Sequence, residues 1–221
     1  MIQIIAMLSM LIDHIGFLYE ISFFRYIGRL AMPCYAFLLC SGFDNSSKKQ
    51  FYIFRLFRIF TISQVPFYLL FRSDRLNICF VWLVSALWLY IYDKNRGVGY
   101  ICLAPVAILF LAVPSDYGII GFGWVLLWRF GSWSALSDPD LSDQNDNNKV
   151  ALIKDFLTVD FAFLLSFYDK VQIFSVLALP LVFVLSKKDK VYIKDSTLKI
   201  VYRYFYPCHM VLLKGVQLCL Q

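Results

Sequence analysis

Apolar stretches about as long as a lipid bilayer is thick recur along this 221-residue chain, and they constrain its fold more than any motif does. A hydrocarbon core about 30 Å thick needs roughly 20 helical residues at about 1.5 Å each. Runs of that length or slightly less lie at 1–19, 22–43, 51–71, 77–92, 98–114, 117–133, 171–186 and 198–217. A weaker run at 150–168 contains Lys154, Asp155 and Asp160 and reads as a short, tilted or re-entrant helix. With 60% hydrophobic and 16% charged residues, the chain is too apolar to cover its own surface with polar groups. A soluble domain carries about 25% charged residues. This excludes a soluble enzyme, a disordered chain and a nucleic-acid binder working through a basic surface. The expected class is an all-α integral membrane protein: one multi-pass domain over 1–221, a polytopic bundle of about eight or nine transmembrane helices.

The first run begins apolar, without a charged leader or a small-residue cleavage site, so it reads as a retained span rather than a signal peptide. The six cysteines lie in or beside apolar runs, with neither a CxxC pair nor Cys/His metal spacing; they read as packing residues, and no metal is expected. The stretch 134–149, rich in Ser, Asp and Asn, reads as an acidic, solvated loop. On a nine-span reading, one set of loops holds Lys48, Lys49, Lys94, Arg96, Lys149, Lys187, Lys188, Lys190 and Lys194, while the other holds Arg25, Arg72, Arg75 and Lys170. Basic residues favour cytoplasmic loops, so this bias predicts a cytoplasmic N-terminus. It also accounts for the net charge of +6 without nucleic acid.

Ionisable residues inside such spans are the informative ones, because each costs several kcal/mol on most scales and normally faces a cavity or a partner (about 2.5–3.5 kcal/mol by the mildest measure). Asp13 and His14 stand two-thirds along the first run, Arg29 about two turns into the second, and His209 near the middle of the last. With the N-terminus inside, His14, Arg29 and His209 fall about 7, 10 and 12 Å below the outer face, so three helices can present one polar cluster there. Asp13 and His14 point about 100° apart on a helix. Asp13 is therefore expected to pair with Arg29, leaving His14 to face a cavity as a neutral imidazole suited to general-base work. The bland alternative is a structural ion pair between helices.

Towards the inner face, Arg55 and Arg58 share one side of the third run at i and i+3, with Arg129 and Arg203 near the inner ends of theirs. Guanidinium groups grip phosphate bidentately and suit a nucleotide-like anion arriving from the cytoplasm. Snorkelling to lipid phosphates is the plainer reading, and the better one for Arg129 and Arg203. Gln64 and Ser63, beside Pro66, line the same cavity or stabilise a kink.

Around these residues the chain resembles the TraX family, the F-pilin acetylases and their relatives. The likeness runs nearly end to end. It is carried by Met10-Leu11-Ile12-Asp13-His14-Ile15-Gly16, Ile27-Gly28-Arg29-Leu30-Ala31-Met32-Pro33, Ser63-Gln64-Val65-Pro66-Phe67, Ser115-Asp116-Tyr117-Gly118, Leu177-Ala178-Leu179-Pro180 and Tyr204-Phe205-Tyr206-Pro207-Cys208-His209-Met210. The Asp-His pair and the Tyr-Pro-x-His segment are the most diagnostic. At the Gln64 position the family commonly has glutamate or glutamine.

The resemblance implies an acetyltransferase of the bacterial inner membrane. It would take acetyl from cytoplasmic acetyl-CoA and pass it to the N-terminal amine of a pilin-like protein, or to a hydroxyl of a cell-surface glycan. On that reading Arg55, Arg58, Gln64 and Arg203 bind the donor, His14 is the general base, His209 or Arg29 stabilises the oxyanion, and Asp13 holds Arg29 or tunes the field. An acetyl-imidazole on His14 is a second form of the mechanism. From a different class, the same histidines, aspartate and arginines would suit a proton relay in a small transporter, against which stands the lack of an inverted repeat or of paired broken helices.

Overall fold

In a computed structural model, the structure describes residues 1–130, 170–186 and 196–219. The run 150–168, the acidic stretch 134–149 and the basic residues Lys149, Lys187, Lys188, Lys190 and Lys194 lie outside the described residues. The described chain is helical: α1 (Ile2–Leu18), α2 (Ser22–Gly28), α3 (Ala31–Asp44), α4 (Lys49–Phe71), α5 (Ile78–Lys94), α6 (Arg96–Ile101), α7 (Leu103–Ala112), α8 (Gly118–Phe130), a 3₁₀ segment (Lys170–Leu177), α9 (Ala178–Ser186) and α10 (Ser196–Cys219). Among the described residues, β pairing is confined to one parallel bridge between Leu76 and Ser115.

Helix length and hydropathy single out two stretches able to cross a membrane, Ser22–Asp44 and Lys49–Phe71; Ile2–Leu18, Arg96–Ala112 and Gly118–Phe130 are shorter apolar helices. Three expected spans are interrupted, and a proline stands just after each break. Pro33, Pro105 and Pro180 each stand third in α3, α7 and α9. Lacking an N–H, they cannot bond the carbonyls of Arg29, Ile101 and Val176, which weakens the α-helical ladder there and suits the first turn of a new helix. The chain turns at Arg29–Leu30 and Cys102, and it tightens into the 3₁₀ segment before α9. Arg29 is thus the C-cap residue of α2 rather than a residue inside a continuous helix.

The chain divides into two compact units, Met1–Leu38 with Trp124–Asp195, and Leu39–Gly123 with Ser196–Gln221. In the first, α1 packs on α2, and α2 on the 3₁₀ segment, where the rings of Tyr26 and Phe174 lie 4.8 Å apart. Gly16 makes the α1–α2 approach possible: a Cβ there would stand 2.7 Å from Phe24 Cβ and 3.0 Å from the Ile21 carbonyl. The Trp128 indole N–H donates to Pro33 O at 2.9 Å, and its ring meets Phe37 edge-on.

In the second unit, α4 packs on α5 and α10, and α5 on α6 and α7. Its core is aromatic. Trp88 stacks on Tyr92 and meets Phe122 edge-on, and its indole N–H donates to Gly99 O at 3.0 Å. The turns 72–77 and 113–117 are zipped together by Leu76 N–H to Pro114 O at 3.0 Å and Asp116 N–H to Leu76 O at 2.8 Å.

Candidate functional site

The buried residues of α1 include Ile2, Ala6, Ser9, Asp13 and Gly16, a stripe at helical spacing, so Asp13 sits on the packed face and the half-buried His14 about 100° around from it. What meets Asp13 is α2. Arg25 Nη1 reaches Asp13 Oδ2 at 2.8 Å and donates to the Asp13 main-chain carbonyl at 3.3 Å. Arg29 Nη1 lies 3.7 Å from Oδ1. The expected Asp13–Arg29 pair is therefore the longer half of a two-arginine clamp. Its shorter half, Arg25, reads as a loop cation in the sequence, yet α2 begins at Ser22 and carries it within a helical turn of Arg29. The Arg25 guanidinium also lies over the Phe17 ring, 5.4 Å from its centroid.

Gly28 makes the clamp possible. A Cβ there would overlap Asp13 Cβ and Oδ1 and stand 2.6 Å from Cγ. Only glycine lets the α2 backbone pass so close to the carboxylate. Chemically, two guanidiniums converge on the Asp13 carboxyl group, and the clamp fastens both side chain and carbonyl of the residue before His14.

His209 belongs to the second unit, on the buried stripe of α10 with Tyr206, Met210 and Leu213. Its Nδ1 lies 2.7 Å from Phe205 O, and its ring stacks on the Phe205 ring at 4.8 Å and 10°. A carbonyl oxygen only accepts, so Nδ1 is the protonated nitrogen and Nε2 carries the lone pair.

Gln64 is occupied within the fold. Its amide donates to Arg75 O at 3.0 Å, and its carbonyl accepts from Asn77 N at 3.0 Å and Nδ2 at 2.9 Å. Asn77 in turn donates to Phe60 O at 3.2 Å and caps α5 by accepting from Cys79 N at 2.9 Å. The Gln64 amide thus locks α4 to the start of α5. Ser63 donates back to Ile59 O, as a hydroxyl one turn above a carbonyl does.

Arg55 and Arg58 point back along α4: their guanidiniums lie over the rings of Tyr52 (4.8 Å) and Phe54 (5.9 Å). Arg203 is half-buried on α10. At the start of α4, Ser47, Lys48, Lys49, Gln50, Phe51 and Tyr90 line an open cleft of about 390 Å³. Lys49 pairs with Asp93 there, and Gln50 donates to Tyr90 Oη at 3.1 Å. Among the described residues, no group of three or more His, Cys, Asp or Glu side chains comes close enough to hold a metal ion.

Sequence reasoning missed Arg25, Gly28 and Asn77. The first two were within reach, since Arg25 and Arg29 are four residues apart and Gly28 sits between them. Nothing local marks Asn77 except its place before an apolar run, where an N-cap belongs.

No curated protein and no solved structure matches the chain. The TraX protein family does match it, over residues 1–217 of the 221. With nearly the whole length matched, the chain belongs to the TraX family.

Proposed function

We propose that this protein is a multi-pass acetyltransferase of the bacterial inner membrane, with a cytoplasmic N-terminus. It moves an acetyl group from cytoplasmic acetyl-CoA to the N-terminal amine of a pilin-like protein. Two supports come before the chemistry. The chain belongs to the TraX family, and the exposed residues of α4 include Phe51, Phe54, Phe57, Ile62, Val65, Tyr68 and Leu69, a surface suited to lipid. Only 17% of the most apolar part of α4 is buried, which favours a lipid-facing helix over the core helix of a soluble protein.

The observation that carries the chemistry is the Asp13–Arg25–Arg29 clamp beside His14. Charges held inside apolar helices mark a working site more often than a scaffold. His14 accepts the proton of the acceptor nitrogen as that nitrogen attacks the thioester carbonyl, and the CoA thiolate leaves and is protonated. Arg29 stabilises the oxyanion, while Arg25 keeps Asp13, and with it the His14 peptide, in place. The phosphates of acetyl-CoA are held by Arg55 and Arg58, and Arg203 together with the lysine-lined start of α4 adds positive charge.

The test is purified protein with acetyl-CoA, following binding by thermal shift and release of free CoA thiol. Wild type binds and releases thiol, whereas His14→Gln binds and releases little. Full transfer by a correctly folded His14→Gln protein sinks the base assignment, and absence of binding in both sinks the acetyltransferase reading.

A further inference from the structure

We propose that the cleft at the start of α4 holds the adenosine 3′-phosphate end of coenzyme A, with Lys48 on the 3′-phosphate and the Gln50–Tyr90 pair on the adenine edge. This rests on the acetyltransferase reading above and adds to it a selectivity for the complete coenzyme. The cleft, about 390 Å³, belongs wholly to the second unit and lies between the start of α4 and the last turns of α5. Small-molecule sites begin at about 300 Å³, so it has room for a nucleotide-sized group.

Its two lysines are bonded differently. Lys49 is tied to Asp93 and lies over the Phe43 ring at 4.7 Å, so its charge goes into holding α4 against the end of α5. Lys48 is exposed, 5.5 Å from the centroid of the Phe51 ring, and among the described residues no carboxylate pairs with it. It is the cation that the cleft keeps for an anionic ligand. Gln50 donates its amide to Tyr90 Oη at 3.1 Å, which leaves the hydroxyl hydrogen and the Gln50 carbonyl oxygen as a neighbouring donor and acceptor. Adenine presents a ring-nitrogen acceptor beside its amino donor, the complement of that pair. Arg55 follows Lys48 by seven residues, on the same side of α4 at helical spacing. Its guanidinium turns back over Tyr52, which stands four residues, about 6 Å along the axis, from Lys48. A ribose with one phosphate at 3′ and a diphosphate at 5′ bridges two cations so placed. A lipid phosphate would use Lys48 and leave the Gln50–Tyr90 pair without a role.

The test is equilibrium binding of acetyl-CoA and of acetyl-dephospho-CoA, which lacks only the 3′-phosphate, to the full chain in nanodiscs. Wild type should bind acetyl-CoA at least about tenfold more tightly, the worth of one charge-assisted contact. Lys48→Ala should bring the two ligands within about threefold of each other by weakening acetyl-CoA alone, and Lys48→Arg should keep the preference. Tyr90→Phe should weaken adenosine 3′,5′-bisphosphate and both thioesters alike, leaving their ratio unchanged. A wild type that binds both thioesters equally, or a Lys48→Ala variant that keeps the full preference, overturns the inference while acetyl-CoA binding stands. Wild type that binds neither thioester overturns both this and the acetyltransferase reading. Lipid composition separates the two sources of phosphate. A preference seen in phosphatidylcholine nanodiscs and kept in phosphatidylglycerol supports the nucleotide, whereas one erased by phosphatidylglycerol makes the cleft a headgroup site and overturns the inference.

Discussion

Gly28→Ala removes the closest backbone approach around Asp13 and tests whether the clamp organises the first unit. The added methyl would overlap Asp13 Cβ and Oδ1 and stand 2.6 Å from Cγ. Neither neighbour can yield cheaply: Cβ is fixed to the α1 backbone, and Oδ1 belongs to the carboxylate that Arg25 holds at 2.8 Å. Overpacking of a tight contact costs about 1–3 kcal/mol. Loosening a buried ion pair by removing one partner costs about 3–5 kcal/mol, reduced here because the Arg25 side chain is 25% exposed. A combined loss of about 3 kcal/mol follows, which lowers the midpoint by about 6–12 °C for a chain of this size. Gly215→Ala is the matched control. It lies inside α10 with nothing within 4 Å of the added carbon, and it should gain about 0.5–1 kcal/mol from helix propensity. The assay is thermal unfolding of both variants in one detergent, followed by tryptophan fluorescence. If Gly28→Ala melts within about 2 °C of wild type, the α1–α2 contact is not the tight one described, and the positioning of His14 through Asp13 falls with it.

Asn77→Ala should cost about 2–4 kcal/mol, because it breaks two donated hydrogen bonds and the cap of α5 together; chemical denaturation measures it. Asn77→Asp keeps the cap and loses the two donors, so a smaller loss is expected, and equal losses would show that the two donated hydrogen bonds alone matter. Arg55→Gln and Arg58→Gln should each weaken acetyl-CoA binding about tenfold, the loss of one charge-assisted contact of about 1.4 kcal/mol, without lowering the melting temperature. Unchanged binding in the double variant would return both residues to snorkelling.

How much could be read in advance varies with the physics that decides each element. The run 51–71 is apolar and is bounded by Lys48–Lys49 and Arg72, and α4 closely follows it with Pro66 inside its last turns. The runs 22–43, 98–114 and 171–186 have equally convincing composition but carry proline where the next α-helix must begin. Hydropathy cannot see a missing N–H, so a count of apolar residues joins what hydrogen bonding divides. Asp13, His14, Arg29 and His209 stand out because charge or imidazole in an apolar run is rare. The partner of Asp13 and the tautomer of His209 did not stand out, since each depends on which backbone comes within 3 Å. Gln64 shows the converse: polar, beside a proline and inside an apolar run, it reads like a ligand-facing residue, and nothing in the sequence announces its bonds to Arg75 and Asn77.

The arginines of α4 bring these strands of argument to one question. Arg58 lies about 13 Å along the helix from Lys49 at about 1.5 Å per residue, and it is exposed on a face that also bears Phe51, Phe54, Ile62 and Val65. Bare in hydrocarbon, a guanidinium at that depth would be costly. Helical side chains lean towards the N-terminus, and the stacking of Arg58 on Phe54 and of Arg55 on Tyr52, four and three residues back, has that direction. Both cations are thereby drawn towards the start of α4, where Lys48 and Lys49 border the open cleft. A row of positive charge rising from a cleft into an apolar face suits a ligand with phosphates at one end and a thin uncharged arm at the other. That shape, more than affinity for phosphate alone, argues for a nucleotide thioester over a lipid headgroup. Acetyl-CoA should therefore protect the Arg55→Cys and Arg58→Cys variants from thiol-reactive probes, while inorganic phosphate protects neither; equal protection by phosphate would count against the arm.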